Sequence, residues 1–431
     1  MNTSFPVIER QRFRLTRSMP THPFSPYFVL SFFCFALVFG RTFVQDASLV
    51  LAQDSVEESP QAETVHQRFV ELVREQKENA KKIDHLLTTM PIGFVEKQQE
   101  HRNKIAQLRK RNQELVGQIQ AIAVQAVDGK EALSPELAQY LTRLAEMKMS
   151  GKDPQIAFDP PGARRIIRKL LETDSKQAVL AMMAYRVEFL NQDFVAAGQW
   201  VKRAAQAGYR MDARIEAGLK SLQREWVREQ EQRAAEAETD DLPRVQLETD
   251  AGKITIELFE NQASNSVAQF LTLVDQGFYD GLDFFQVSPT QYARAGCPHN
   301  DGTGDPGYRI ASEADRPEAR KFFTGTVGLF IDDQGSAGSQ FFIAKQPLPF
   351  LNGRHTAIGR VIDGMSTVYK IQVIQGNAVR SQANHRPTRI ARAIVLRKRE
   401  HEYQPVKLPA DAADGGGDEH DSASDDSTSG G

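Results

Sequence analysis

The chain has 431 residues, enough for two or three domains, with ordinary apolar (40%) and charged (25%) fractions. A net charge of −3 argues against a protein that grips nucleic acid or an anionic membrane by bulk electrostatics. Of the two cysteines, Cys34 falls in an apolar leader-like run, which leaves Cys297 without an intramolecular disulfide partner; no cysteine and histidine cluster has zinc-ligand spacing.

Residues 1–52 carry a basic head, Arg10, Arg12, Arg14 and Arg17, followed by an almost wholly apolar run from Tyr27 to Phe39. That is the pattern of an export signal, and the run is shorter than the roughly 20 residues that span a bilayer comfortably. Cleavage near Val38-Phe39-Gly40 or Val50-Leu51-Ala52 and an uncleaved anchor over Tyr27 to Val44 are the alternatives. Either predicts an exported protein of the periplasm or cell envelope, soluble or anchored at its N-terminus, with membrane contact only there.

From 53 to 240 the periodicity is helical. Ile105, Leu108, Asn112, Leu115, Ile119, Ile122 and Ala126 recur at alternating spacings of three and four, a heptad seam with one polar core position. With the earlier Val65, Phe69, Leu72, Ile83, Leu86 and Leu87, this predicts a coiled-coil-like region over 65–127, folded as a hairpin; so short a seam is marginal for a free-standing dimer. Pro154, Pro160 and Pro161 mark a turn. Over 164–237 comes a helical pair with small-residue contacts around Asn191-Gln192-Asp193, then a charged helix from Glu216 to Ala237. The pair resembles a single tetratricopeptide-like unit, without a second clear copy. Protein partners are expected for this region.

At 243–400 the period changes to two. Val245 and Leu247, a turn at Asp250-Ala251-Gly252, then Ile254, Ile256 and Leu258 read as a β-hairpin. Ser264 or Asn265 is the expected cap of a helix with apolar face Val267, Phe270, Leu271 and Val274, ended by Gly277. Gly302, Gly304 and Gly307 satisfy a dinucleotide-binding glycine pattern formally. Pro306 and Tyr308 give no helix to meet a pyrophosphate, so no nucleotide is expected.

Glycine-anchored landmarks follow in order: Gly277-Phe278-Tyr279-Asp280-Gly281, the loop from Gly302 to Tyr308, Gly338-Ser339-Gln340-Phe341-Phe342-Ile343, Leu351-Asn352-Gly353-Arg354-His355 and Gly359 to Gly364. In this order and spacing the domain resembles the cyclophilins, barrel-shaped peptidyl-prolyl cis-trans isomerases. The resemblance implies a closed eight-stranded antiparallel barrel capped by helices; with the helical region before it, the expected chain is multidomain α plus β, an all-α region followed by that barrel. It implies catalytic roles for Gln340 and His355 and a substrate-binding surface from Phe342, Phe350 and Leu351, with Phe341 as plain core. It requires neither cofactor nor metal, because rotation about an X–Pro bond makes and breaks no covalent bond.

Other positions depart from the family. Phe284-Phe285-Gln286-Val287 aligns with the family's Phe-His-Arg-Val, so Gln286 stands at the position of the catalytic arginine. Gln291 and Tyr292 occupy proline-pocket positions, Arg294 replaces a glutamine, and Phe330 with Ile331 replaces a peptide-binding Ala-Asn pair. Gln286 donates without charge or fork, which predicts weakened catalysis; Arg294 is the nearest candidate for the missing charge. Two readings follow: a folding helper that isomerises X–Pro bonds in exported, proline-containing polypeptides, or a non-catalytic proline-peptide binding or scaffold module of the cell envelope. Residues 401–431, acidic beyond Lys407 and rich in Gly and Ser, read as a disordered tail.

Overall fold

The computed structural model describes residues 64–153, 156–173, 178–209, 212–374 and 386–409. The leader and the tail beyond 409 lie outside them. No helix among the described residues is long and apolar enough to cross a membrane.

Helix α1 (Val65–Thr88) opens on a capping box: the Thr64 hydroxyl accepts from Gln67 N and the Gln67 side chain accepts from Thr64 N. It turns back along α2 (Val95–Asp128), and Arg111 reaches across the hairpin to Glu75 at 2.7 Å. The heptad seam closes within the chain: Ile105, Leu115, Ile119 and Ala126 are buried, while Leu108, Asn112 and Ile122 are half-buried. α3 (Pro135–Ser150), α4 (Pro160–Thr173) and α5 (Ala178–Leu190) complete that core with Leu141, Leu144, Ile166, Ile167 and Val187. α6 (Phe194–Gln206) packs back on α5, and the long α7 (Ala213–Thr239) leads to the sheet.

Nine strands follow among the described residues: β1 (Arg244–Thr249), β2 (Gly252–Leu258), β3 (Gln286–Val287), β4 (Tyr292–Ala295), β5 (Ile310–Ala311), β6 (Thr326–Ile331), β7 (Ser336–Ala344), β8 (Thr356–Asp363) and β9 (Ile390–Arg397). They pair antiparallel in the order β3-β4-β7-β6-β8-β2-β1-β9, with β5 on β7. This corrects the expected closed ring of eight. The sheet is curled but open, because its end strands β3 and β9 share no ladder among the described residues. Only isolated bridges approach them, Asp283 to Arg389 and Val287 to Ile374. A two-residue end strand is too short to build a seam of alternating backbone bonds.

Alternation along the strands sorts side chains into two sets. Val245, Leu247, Ile254, Ile256, Val327, Leu329, Phe341 and Ile343 point inward and are fully buried. Phe341 meets Phe270, Tyr279 and Phe284 edge-on, so it is core, as its sequence context indicates. Helix α8 (Ser264–Asp275) covers one end with Val267, Phe270, Leu271 and Val274. Neither Ser264 nor Asn265 caps it by side chain. The Glu313 carboxylate does, accepting from Asn265 N at 3.3 Å and Ser266 N at 2.8 Å. Gly277, at φ +68°, ends it with Phe278 N donating to Leu273 O, a left-handed stop that a side chain would strain. A short α9 (Met365–Lys370) follows β8.

Residues 401–409 continue along the sheet domain and bond to it. Tyr403 Oη donates to Glu260 at 2.8 Å, Val406 exchanges backbone bonds with the Asn265 side chain, and Leu408 N donates to Arg309 O at 2.8 Å.

The helices are locked to the sheet. Arg320, with 4% of its surface exposed, donates twice to Glu229 of α7 at 2.8 Å and pairs with Glu236; Arg360 bonds Glu236 and Glu257, each at 2.6 Å. Burial alone would raise the Glu229 carboxyl, but Arg320 and Arg233 outweigh it and hold it below its ordinary value. Phe323 adds an aromatic contact, its ring centroid 4.7 Å from Trp226 and 6.1 Å from Phe194.

Candidate active site

Directly opposed residues in an antiparallel sheet share a face. Gln286 of β3 opposes Arg294 of β4, Arg294 opposes Phe342 of β7, and Phe342 opposes Gly328 of β6. These form one row across the outer face. Two residues along, the same face carries Tyr292, Gln340 and Phe330. Gly328 is required where it stands: a Cβ there would lie 2.6 Å from the Phe322 ring and 2.7 Å from the Phe342 ring. Leu351, in the 3-10 turn Pro349–Leu351, and His355, just before β8, join the row from its far side.

Arg294 is the hub. Its Nη2 donates to Gln340 Oε1 at 2.6 Å and its Nη1 to Gln286 Oε1 at 3.1 Å. Its guanidinium carbon sits 3.4 Å from the Phe330 ring centroid and 5.4 Å from that of Phe285. Its Nε is buried without a hydrogen-bond partner, and no carboxylate among the described residues pairs with it. Burial pushes its pKa down to about 10, which leaves it cationic at neutral pH.

Gln340 also faces the glycine-rich loop, donating from Nε2 to Gly302 O at 2.9 Å and Gly304 O at 3.0 Å. The amides of those two glycines donate to Cys297 Sγ at 3.2 and 3.3 Å. The loop is therefore gripped from both sides, and Cys297 is a buried structural acceptor.

His355 stacks on Phe330 at 5.0 Å between ring centroids and meets Phe342 edge-on at 5.4 Å. Its Nδ1 accepts from Ile331 N at 3.0 Å. That leaves the neutral ring with its proton on Nε2. Burial first, then the like charges of Arg294 and Arg354, push its pKa down to about 4.

The floor departs from an open hollow. Phe342 is only 3% exposed, with Phe322 stacked on it at 5.3 Å and Tyr292 at 5.8 Å. Two expected members stand apart. Gln291 is exposed in the β3–β4 turn, where its backbone carbonyl accepts from Lys345 N at 2.7 Å, and Phe350 is 51% exposed beside the cluster. Gln291 is thus held by its backbone, with its side chain in solvent. Lys345, which the sequence reading passes over, pins that turn: it is fully buried, and its Nζ donates to Ser288 O at 3.1 Å. Only its place inside an apolar strand end would have singled it out.

Residues 244–395 match the model for "Cyclophilin type peptidyl-prolyl cis-trans isomerase/CLD". A peptidyl-prolyl cis-trans isomerase of Synechococcus elongatus is 44% identical over 121 residues, 28% of this chain and 81% of that protein. This chain belongs to the cyclophilin-type peptidyl-prolyl cis-trans isomerase family. Isomerase B of Bacillus subtilis is 42% identical over 117 residues, 27% of this chain and 80% of the relative. That of Helicobacter pylori is 38% identical over 138 residues, 31% of this chain and 82% of the relative. Each of the three matches spans less than a third of this cyclophilin.

Proposed function

We propose that the sheet isomerises X–Pro peptide bonds in proline-containing polypeptides exported from the cytoplasm. The supporting observation is the meeting of Gln340, Phe342, Leu351 and His355 on one outer face beside a cation. The two isomers differ by only about 0.5–1 kcal/mol, but the barrier between them is about 18–20 kcal/mol. A catalyst need only hold the twisted amide better than either planar form. Gln340 spends both amide hydrogens on Gly302 O and Gly304 O and keeps one lone pair of Oε1, beside Arg294, to accept from a substrate N–H, and the aromatic floor suits a proline ring. Closure over Phe342 requires a ring to move aside and lowers turnover. The export component rests on the basic head and apolar run of 1–52, and cell fractionation tests it.

A second reading, a module that binds proline peptides without turning them over, is favoured by that same closure over Phe342. The test is an X–Pro isomerisation assay on the full chain with a proline tetrapeptide, alongside peptide binding. Acceleration above the uncatalysed exchange supports the first reading. Binding without acceleration supports the second, and neither binding nor acceleration removes both. The helical region is proposed to hold apolar stretches of the same clients at the α1–α2 tip, where Ile92, Phe94 and Val95 are exposed. Suppression of aggregation of a denatured client, lost in Phe94→Ser, checks it.

A further inference from the structure

Resting on the isomerase reading, we infer that Arg294, held by the two glutamines Gln286 and Gln340 and stacked on Phe330, is the catalytic cation that donates to the rotating X–Pro amide. The catalytic charge in this chain thus comes from β4, and Gln286 on β3 is a positioning residue.

The first argument is electrostatic. Taking a guanidinium out of water is costly unless a carboxylate compensates it. The chain meets that requirement at Arg320 and Arg360, both buried and both paired with glutamates. At Arg294 it does not: the half-buried cation has two neutral amide oxygens, an aromatic face and an Nε without a partner. An uncompensated charge of that kind marks a functional site rather than a packing solution.

The second argument is geometric. Arg294 directly opposes Phe342, so the cation stands beside the ring that would bear the proline. Both amide oxygens accept from its terminal nitrogens, which fixes the fork while Phe330 covers its plane.

The third is chemical. When the C–N bond twists, amide resonance is lost and the nitrogen lone pair localises. A hydrogen-bond donor at that nitrogen is then stronger in the transition state than in either planar form, and a charged donor is stronger than a neutral one. No proton needs to be transferred and no bond is made or broken.

The experiment compares the full chain with Arg294→Gln and with the exchange variant Gln286→Arg plus Arg294→Gln, in the X–Pro isomerisation assay. Arg294→Gln is expected to lower kcat/KM by about 10²–10³-fold, the loss of one preorganised donor, and the exchange variant to recover most of it. Because fold loss would mimic inactivity, the guanidinium ¹⁵N resonances of Arg294 in the wild-type chain are followed while a proline tetrapeptide is added; a saturable shift is expected. Wild-type activity retained in Arg294→Gln, loss that the exchange fails to restore in a folded chain, or unmoved guanidinium resonances would each overturn the assignment. A wild-type chain with no activity would instead remove the isomerase reading itself.

Discussion

Arginines among the described residues are taken out of water in contrasting ways, and Arg320 with Arg360 on one side and Arg294 on the other are two extremes. Arg320 and Arg360, between α7 and the sheet, are matched to Glu229, Glu236 and Glu257 and lie over the Phe259 ring. Arg294, on the sheet's outer face, is held by amides and rings alone. The first arrangement neutralises itself and so fixes two layers in register. The second keeps its charge available. Burial of an arginine therefore carries no single meaning; its partners decide whether it serves stability or chemistry.

That contrast is broken most severely at the paired site. Arg320→Ala leaves Glu229 and Glu236 buried without their partner and is expected to destabilise the full chain by about 3–5 kcal/mol, read from the urea midpoint. Removal of the cation at the unpaired site should behave the other way. Arg294→Gln removes a desolvated charge that no carboxylate needs, so the unfolding free energy read from its urea midpoint should change by less than about 1 kcal/mol while isomerase activity falls sharply. A large stability loss there would mean that Arg294 is structural after all.

Phe330→Ala sharpens the comparison from the aromatic side. It removes the ring that covers the Arg294 guanidinium and stacks on His355. Loss of a contact worth about 0.5–2 kcal/mol predicts a drop in kcat/KM of a few-fold to about thirtyfold, visible in steady-state kinetics.

The smallest effect on activity is that of pH. With its folded pKa held near 4 and an ordinary value of 6.5 when unfolded, His355 binds fewer protons in the native state between those limits. Stability from this residue is then fully present above about pH 6.5 and is lost as pH falls through about 4. Protonation at Nδ1 would also displace the Ile331 amide. Activity should stay flat from pH 8 to about 5 as far as His355 is concerned, and His355→Gln should flatten the acid limb of thermal stability.

Much of the sheet domain was legible because its signals are local. The period change at 243, the α8 face, the stop at Gly277 and the core place of Phe341 all follow from neighbouring residues. Gln340, Phe342, Leu351 and His355 were legible because their motifs are contiguous. That the sheet stays open was not legible, since the length of an end strand depends on where its partner runs. Pairs far apart in sequence were equally silent: Arg320 with Glu229, Glu313 on the α8 N-terminus, Tyr403 against Glu260. Arg294 lies between these cases. Its substitution was readable, but the cross-strand pairing with Gln286 and the absence of a carboxylate could only come from three dimensions.

The most direct test is the rate of cis–trans exchange in a proline tetrapeptide, measured by NMR exchange spectroscopy with the full chain and with Arg294→Gln at equal concentration. Exchange well above the spontaneous rate with the wild-type chain, returning close to that rate with the variant, is the predicted result. Equal acceleration by both proteins would contradict it.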